Sequence, residues 1–300
     1  MSTNSRTTEQ SIDESKGIDT LESIEVLSVL IAGQERAIAA VKAAIPQIAK
    51  AAETLAERLA TGGRLAYAGA GTSIRIAVQD GSELPSTFGT AEEKILYLIA
   101  GGERAIFESL ADAEDDEKAG AQAAAQLLSG DTLVAVAASG STPYTIAAAK
   151  TAKAKGVYVI AIANNRNSEL GALGDVEIVL NSGAEVIAGS TRMGAGTAQK
   201  AALNLLSTLT HIRLGAVHDG LMVNVQAGNL KLKRRAAEII SKISNVNIDK
   251  ATLALNQCQD QVKPAILLCS GASGFQAAQE LLKSTKGNLR LALAKLKISS

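Results

Sequence analysis

Two short runs concentrate glycines and hydroxyls in a pattern suited to holding an anion: Gly69-Ala70-Gly71-Thr72-Ser73 and Ala138-Ser139-Gly140-Ser141-Thr142-Pro143. Glycine lets the backbone take unusual angles and approach a ligand closely. A helix that follows such a turn offers unpaired N–H groups and the positive end of its dipole to a phosphate. The hydroxyls of Thr72 and Ser73 add donors. Pro143 stands where a helix would begin, because its missing N–H costs nothing at the first helical position. Taken singly, Ser139, Ser141 and Thr142 read as helix caps. As a group they repeat the chemistry of the first run, and a phosphate monoester held by backbone dipoles explains them better. The first run is not a Walker loop, which would end in Lys-Ser/Thr, and it lacks the full dinucleotide spacing of glycines.

A third polar segment runs Glu185-Val186-Ile187-Ala188-Gly189-Ser190-Thr191-Arg192. Its Glu185, Ser190 and Thr191 read either as capping residues for a following helix or as the far wall of the same pocket. Two carboxylates stand apart. Glu83 lies in a stretch rich in turn residues, 80–89, and Glu114 opens the acidic run 114–117. An acidic residue at a helix start favours the dipole, so capping accounts for Glu114 on composition alone. His211 and His218 have no visible nucleophile or metal partner and read as structural. The run Lys231-Leu232-Lys233-Arg234-Arg235 reads as a solvated helix face. Nothing in these patterns calls for a metal or a cofactor.

Elements able to position those runs are visible in the apolar pattern. Short apolar stretches at 64–68, 95–100, 132–138, 157–163 and 176–180 have strand length, and each closes in a Gly-, Ser- or Asn-rich turn. The segments between them, such as 120–128 and 146–155, are Ala-rich and helix-like. Buried strands alternating with helices imply parallel βαβ units and an α/β, doubly wound, mostly parallel sheet. Ligands bind such sheets beyond the carboxyl ends of the strands, where both hydroxyl-rich runs fall. Upstream, 20–60 carries apolar residues at helical spacing with a break at Pro46, and 1–19 is polar and arm-like. Downstream, helices are expected at 198–214 and 229–243. Four short ones at 249–257, 263–268, 274–282 and 287–296 form a small bundle.

Composition narrows the partners. Lys+Arg and Asp+Glu balance at 30 each and aromatics are 2%, so neither a basic field nor stacking platforms for nucleic acid are present. Any anion must be recognised locally. Cys258 and Cys269 make no disulfide framework or metal spacing. The N-terminal stretch has no apolar leader core and no run reaches membrane-spanning length, so a soluble, cytoplasmic protein with no membrane partner is expected.

The motifs resemble those of sugar isomerase (SIS) domains, a flavodoxin-like phosphosugar-binding fold. The longer match is to N-acetylmuramic acid 6-phosphate etherases, relatives of the glucokinase regulatory protein. It rests on Tyr67–Ser73, 82–89, 113–116, 137–144, 164–168 and 185–200, and runs in order from about Thr8 to the end. The resemblance implies an SIS domain with an N-terminal helical extension over 1–247 and a small helical, UBA-like domain over 248–300. It implies a homodimer in which one subunit completes the other's pocket, and a carbon–oxygen lyase that cleaves the D-lactyl ether of a phosphorylated amino sugar. Glu83 and Glu114 would be its acid and base. Gly71, Thr72, Ser73, Ser139, Ser141, Thr142, Glu185, Ser190 and Thr191 would bind substrate. The chain departs from the family pattern with Ile74 for Gly, Ser141 for Arg and Gly194 for Lys. Two basic side chains are thereby lost, and Ile74 is expected to narrow the pocket. The N-terminal Thr-Glu-x-Arg-Asn pattern is reduced to Thr8-Glu9-Gln10-Ser11-Ile12. Competing readings are a hexosamine phosphate isomerase with Glu185 as base, and a non-catalytic phosphosugar regulator.

Overall fold

The structure is a computed structural model that describes residues 7–226 and 228–299. The chain forms two compact units. The first comprises residues up to Gly81 together with Glu93–Ser207, and the second Ser82–Glu92 together with residues from Thr208 on.

In the first unit, helix α1 (Ser23–Ala43) and helix α2 (Ile45–Ala60) precede the sheet, with Pro46 in the first turn of α2. Strand β1 (Leu65–Gly69) leads into helix α3 (Gly71–Phe88), whose residues after Gly81 belong to the second unit. Strand β2 (Ile95–Ile99), helix α4 (Glu117–Ala124) and strand β3 (Thr132–Ala137) follow. Then come helix α5 (Pro143–Ala154), strand β4 (Tyr158–Ala163), helix α6 (Glu169–Leu173), strand β5 (Val176–Val179) and helix α7 (Gly194–Arg213). The five strands pair in parallel in the order β2-β1-β3-β4-β5. Every residue of β1 and β3 is buried, as their unbroken apolar sequences require in a sheet covered on both faces. Strand order reverses between β1 and β3, the topological switch point of a doubly wound sheet.

Buried polar groups lock this frame. Arg64, just before β1, donates from Nη2 to Asp131 Oδ2 at 2.6 Å, and its backbone N–H donates to Asp131 Oδ1 at 3.0 Å. Burial opposes the charge of Asp131, but the Arg64 guanidinium and the N–H groups of Leu128 and Arg64 hold its pKa below the usual value. Asp80 on α3 accepts from Tyr67 Oη at 2.9 Å, Asn204 Nδ2 at 2.6 Å and Ser207 Oγ at 2.9 Å, which ties α3 to β1 and α7. Fully buried Asn164 donates to the Leu180 carbonyl at 3.0 Å and accepts from Gln199 at 2.9 Å, fixing the exits of β4 and β5.

The second unit holds a two-stranded hairpin, β6 (Val217–His218) and β7 (Leu221–Met222), joined by Asp219-Gly220 with both residues in left-handed backbone conformation. That is the turn chemistry a tight hairpin demands. Helices α8 (Leu230–Ser244), α9 (Ile248–Gln257), α10 (Val262–Cys269), α11 (Phe275–Ser284) and α12 (Leu289–Ser299) complete it. Ile239 and Ile240 of α8 share one apolar core with Leu255, Cys258, Ile266 and Leu289. The compact unit therefore begins well before 248, because α8 has its apolar face committed to the tail helices. His211 and His218 are held structurally: His211 stacks on Phe88 at 4.5 Å, and His218 pairs with Asp219 at 3.5 Å. Lys231, Lys233, Arg234 and Arg235 lie on the exposed face of α8.

Two expectations are corrected here. The 80–89 stretch is not a turn: α3 continues through Pro85 to Phe88. A proline in the last turn removes only one helical hydrogen bond, and the helix absorbs that loss. The polar stretch before residue 20 is not a loose arm either. Its first six residues lie outside the described ones, but 3-10 turns form at Thr7–Glu9, Asp13–Ser15 and Ile18–Thr20, and Thr8 is fully buried.

Candidate active site

The turns after β1 and β3 converge on one cleft of about 440 Å³ at the switch point. Gly71, Thr72 and Ser73 line it from the start of α3, and Ser139, Ser141, Thr142 and Pro143 from the start of α5. The first N–H groups of a helix have no partner within it, so two helix N-termini present donors and positive dipole ends to the same space. Gly71 adopts φ +53 with nothing crowding it, so the chain can turn into α3 without a side chain in the way. Gly140 is constrained instead: at φ +68, a Cβ would lie 2.3 Å from Ser168 Cβ. Thr142 occupies the N-cap of α5, yet its side chain makes no capping hydrogen bond. Ser139 Oγ accepts from the Ser141 N–H at 3.1 Å, which shapes the turn. The Thr142 hydroxyl is thus left to the cleft rather than spent on capping.

Glu114 and Asp115 line the same cleft from the 3-10 turn Ala111–Asp115. Capping of α4 falls to Asp116, whose side chain accepts from the Ala119 N–H at 2.8 Å, so Glu114 is free of that duty. Thr191 and the N-terminal residues Thr8 and Glu9 also line it, and among the described residues the lining contains no Lys or Arg.

The SIS domain family matches residues 32–164. The chain is 42% identical over 293 residues to the N-acetylmuramic acid 6-phosphate etherase of Deinococcus radiodurans, covering 97% of this chain and 96% of that protein. It is 43% identical to the one of Symbiobacterium thermophilum, covering 89% of each. The chain belongs to the N-acetylmuramic acid 6-phosphate etherase family. Among solved structures, a Bacteroides fragilis protein described as a phosphosugar isomerase involved in capsule formation superposes with a TM-score of 0.50 at 20% identity, covering 66% of this chain and 95% of that one. That likeness shows the fold.

Glu185 does not line the cleft. It is buried, and its two carboxylate oxygens accept from the N–H groups of Gly194 at 2.9 Å and Ala195 at 2.8 Å, capping α7. A carboxylate committed in this way is poorly placed as the base of an isomerase. Ser190 is also outside the lining, with its carbonyl accepting from the Met193 N–H. Glu83 lies on the exposed face of α3, twelve residues beyond Gly71 in sequence. It does not line the cleft, and it belongs to the second unit. Ile74 is fully buried and points into the core, so it does not narrow the cleft. Gly194 abuts Glu185: a Cβ there would sit 3.1 Å from Oε2. The sequence reading missed Glu9 and Asp115. Thr8-Glu9 was recognisable only as the remnant of a family pattern, and Asp115 was hidden in an acidic run.

Proposed function

We propose that this chain cleaves the D-lactyl ether of N-acetylmuramic acid 6-phosphate, yielding N-acetylglucosamine 6-phosphate and D-lactate. The observation that carries the proposal is the cleft itself: two helix N-termini and a set of free hydroxyls suited to a phosphate, with Glu114 on the wall. The names of the relatives supply the substrate. The chemistry is elimination followed by hydration. A base takes the C2 proton, made acidic by the C1 aldehyde of the ring-opened sugar. The C2–C3 double bond forms as the C3–O bond breaks, and an acid protonates the departing lactate oxygen. Water then adds across the double bond, with its oxygen at C3. Two carboxyl groups of opposite protonation state meet these needs. Glu114 and Glu83 fill the two roles, with Glu83 as the acid that assists lactate departure.

The protein works as a cytoplasmic homodimer. Ile24, Ile31, Ile38 and Ile45 recur every seven residues along α1 and the start of α2, and with Leu27 they are all more than half exposed. Such an unpartnered apolar face on a helix suits a second copy of the chain. Pairing of this kind also brings Glu83 of one subunit to the cleft of the other, beside Glu114. D-lactate release from N-acetylmuramic acid 6-phosphate by the purified protein tests the reaction. Mixing Glu83→Gln with Glu114→Gln protein tests the sharing. If the site is shared, half of randomly paired dimers are mixed and each carries one intact site, restoring roughly a quarter of the activity. No recovery after verified subunit exchange would sink the shared site.

A further inference from the structure

Thr8 and Glu9 of the N-terminal segment line the cleft, and neither has a part in the proposed elimination and hydration. The Thr7 N–H donates to Asn165 Oδ1 at 2.9 Å. Asn165 Nδ2 donates to Thr8 Oγ1 at 3.3 Å and to the Ala138 carbonyl at 2.9 Å. The Gly189 N–H donates to the Thr8 carbonyl at 3.1 Å. Asn165 thereby ties the segment to the exit of β3, and Gly189 ties it to the loop before α7. The backbone on either side of fully buried Thr8 is thus fixed.

Glu9, the next residue, is exposed and lines the cleft. Its carboxylate lies over Gly189, where an added Cβ would stand 2.9 Å from Oε2. It makes no hydrogen bond or ion pair with the described residues. A free carboxylate on an anchored backbone is a preorganised acceptor. Ionised, it accepts hydrogen bonds and donates none. Glu114 and Asp115 stand in the same lining, which holds no Lys or Arg among the described residues, so the part of the ligand that meets Glu9 carries hydrogen-bond donors and no negative charge.

We propose that Glu9 is a specificity-determining residue that accepts hydrogen bonds from hydroxyl or amide N–H groups of the bound sugar. The proposal rests on the phosphosugar reading of the cleft but does not depend on the lyase chemistry. It distinguishes a sugar face, met by Glu9, from a phosphate face, met by the helix N-termini.

The test titrates the full-length protein with N-acetylglucosamine 6-phosphate and, separately, with inorganic phosphate, in wild type, Glu9→Ala and Glu9→Gln. Loss of a charge-assisted hydrogen bond costs about tenfold or more in affinity. Glu9→Ala is therefore expected to weaken the sugar phosphate by about that factor and to leave inorganic phosphate unchanged or tighter. Glu9→Gln keeps one acceptor oxygen and should lose less. The melting temperature should not move, because the side chain is exposed and has no partner among the described residues. In turnover KM should rise while kcat changes little. Unchanged affinity for the sugar phosphate in Glu9→Ala overturns the proposal. So does equal weakening of both ligands with a fall in melting temperature, the mark of a structural role. A wild type that binds N-acetylglucosamine 6-phosphate but releases no lactate would defeat the etherase reading and leave the Glu9 comparison intact.

Discussion

Asp80 is the residue whose removal tests most directly how the frame is held. Its carboxylate is buried and accepts from three donors: Tyr67 Oη at 2.9 Å, Asn204 Nδ2 at 2.6 Å and Ser207 Oγ at 2.9 Å. Tyr67 is itself buried, and burial first, then Asp80, pushes its hydroxyl well above its usual pKa, so it remains a donor. Asp80→Ala strands Tyr67 Oη and Asn204 Nδ2, whereas Ser207 Oγ keeps the Asn204 carbonyl as an acceptor at 3.4 Å. An orphaned buried donor costs about 1–3 kcal/mol, and water entering the vacated space recovers part of the sum. A net loss of roughly 2–4 kcal/mol is expected, a large share of the roughly 5–15 kcal/mol that holds a typical domain folded. Asp80→Asn keeps one acceptor oxygen and should cost about half as much. Urea unfolding midpoints with unchanged slope measure both variants. Asp80 also lies one turn before Glu83 on α3, so lactate release should fall in the Asp80→Ala protein even where it remains folded. A loss under about 1 kcal/mol for Asp80→Ala would refute the reasoning, because the fully buried Tyr67 hydroxyl and the half-buried Asn204 amide cannot both be orphaned so cheaply.

Other perturbations follow from single contacts. The pKa of Asp131 lies below the usual 3.8 in the folded state, so its stabilisation is present above that value and is lost as pH falls through the lower folded one. Asp131→Asn should therefore cost about 1–3 kcal/mol at pH 7, and acid unfolding curves of the two proteins should converge at low pH. Lys263 acts in the same direction at higher pH, because here the fold disfavours the charged form. Burial lowers its pKa from 10.5 to about 8, with the Gly287 carbonyl at 2.8 Å as its acceptor. The unfolded chain binds that proton more tightly, so stability should rise between pH 8 and 10, by up to roughly 3 kcal/mol for this group. Lys263→Met should abolish that rise in parallel melts; an unchanged pH slope would rule it out. Gly140→Ala combines a left-handed backbone with a Cβ 2.3 Å from Ser168. It should cost about 2–5 kcal/mol and displace Ser139 and Ser141, which a phosphosugar titration would register as lost affinity.

What was legible in the sequence followed from physics that acts locally. Strands β1, β3 and β4 are unbroken apolar runs because both faces of a parallel sheet are covered, and the hydroxyl-rich turns announced themselves by closing two of them. The same local logic misjudged α3, because turn-forming residues at 80–89 are overridden where Leu84 and Phe88 bury their side chains. It missed the β6–β7 hairpin, whose strands of two residues fall below any periodic signal. Side-chain commitments were the least legible. Glu185 and Glu114 are both carboxylates near a helix start, and composition treats them alike. In the fold, Glu185 spends both oxygens on the N–H groups of α7, whereas Asp116 takes the capping role at α4 and leaves Glu114 to the cleft. Thr8 looks like part of a polar arm until Asn165, 157 residues away in sequence, supplies its partner. A short polar segment carries no information about a contact at that separation; only the sheet that delivers Asn165 to the end of β4 creates it. The site is therefore readable in sequence where a turn belongs to its own strand and helix. It is unreadable where a carboxylate's role depends on which distant N–H groups reach it first.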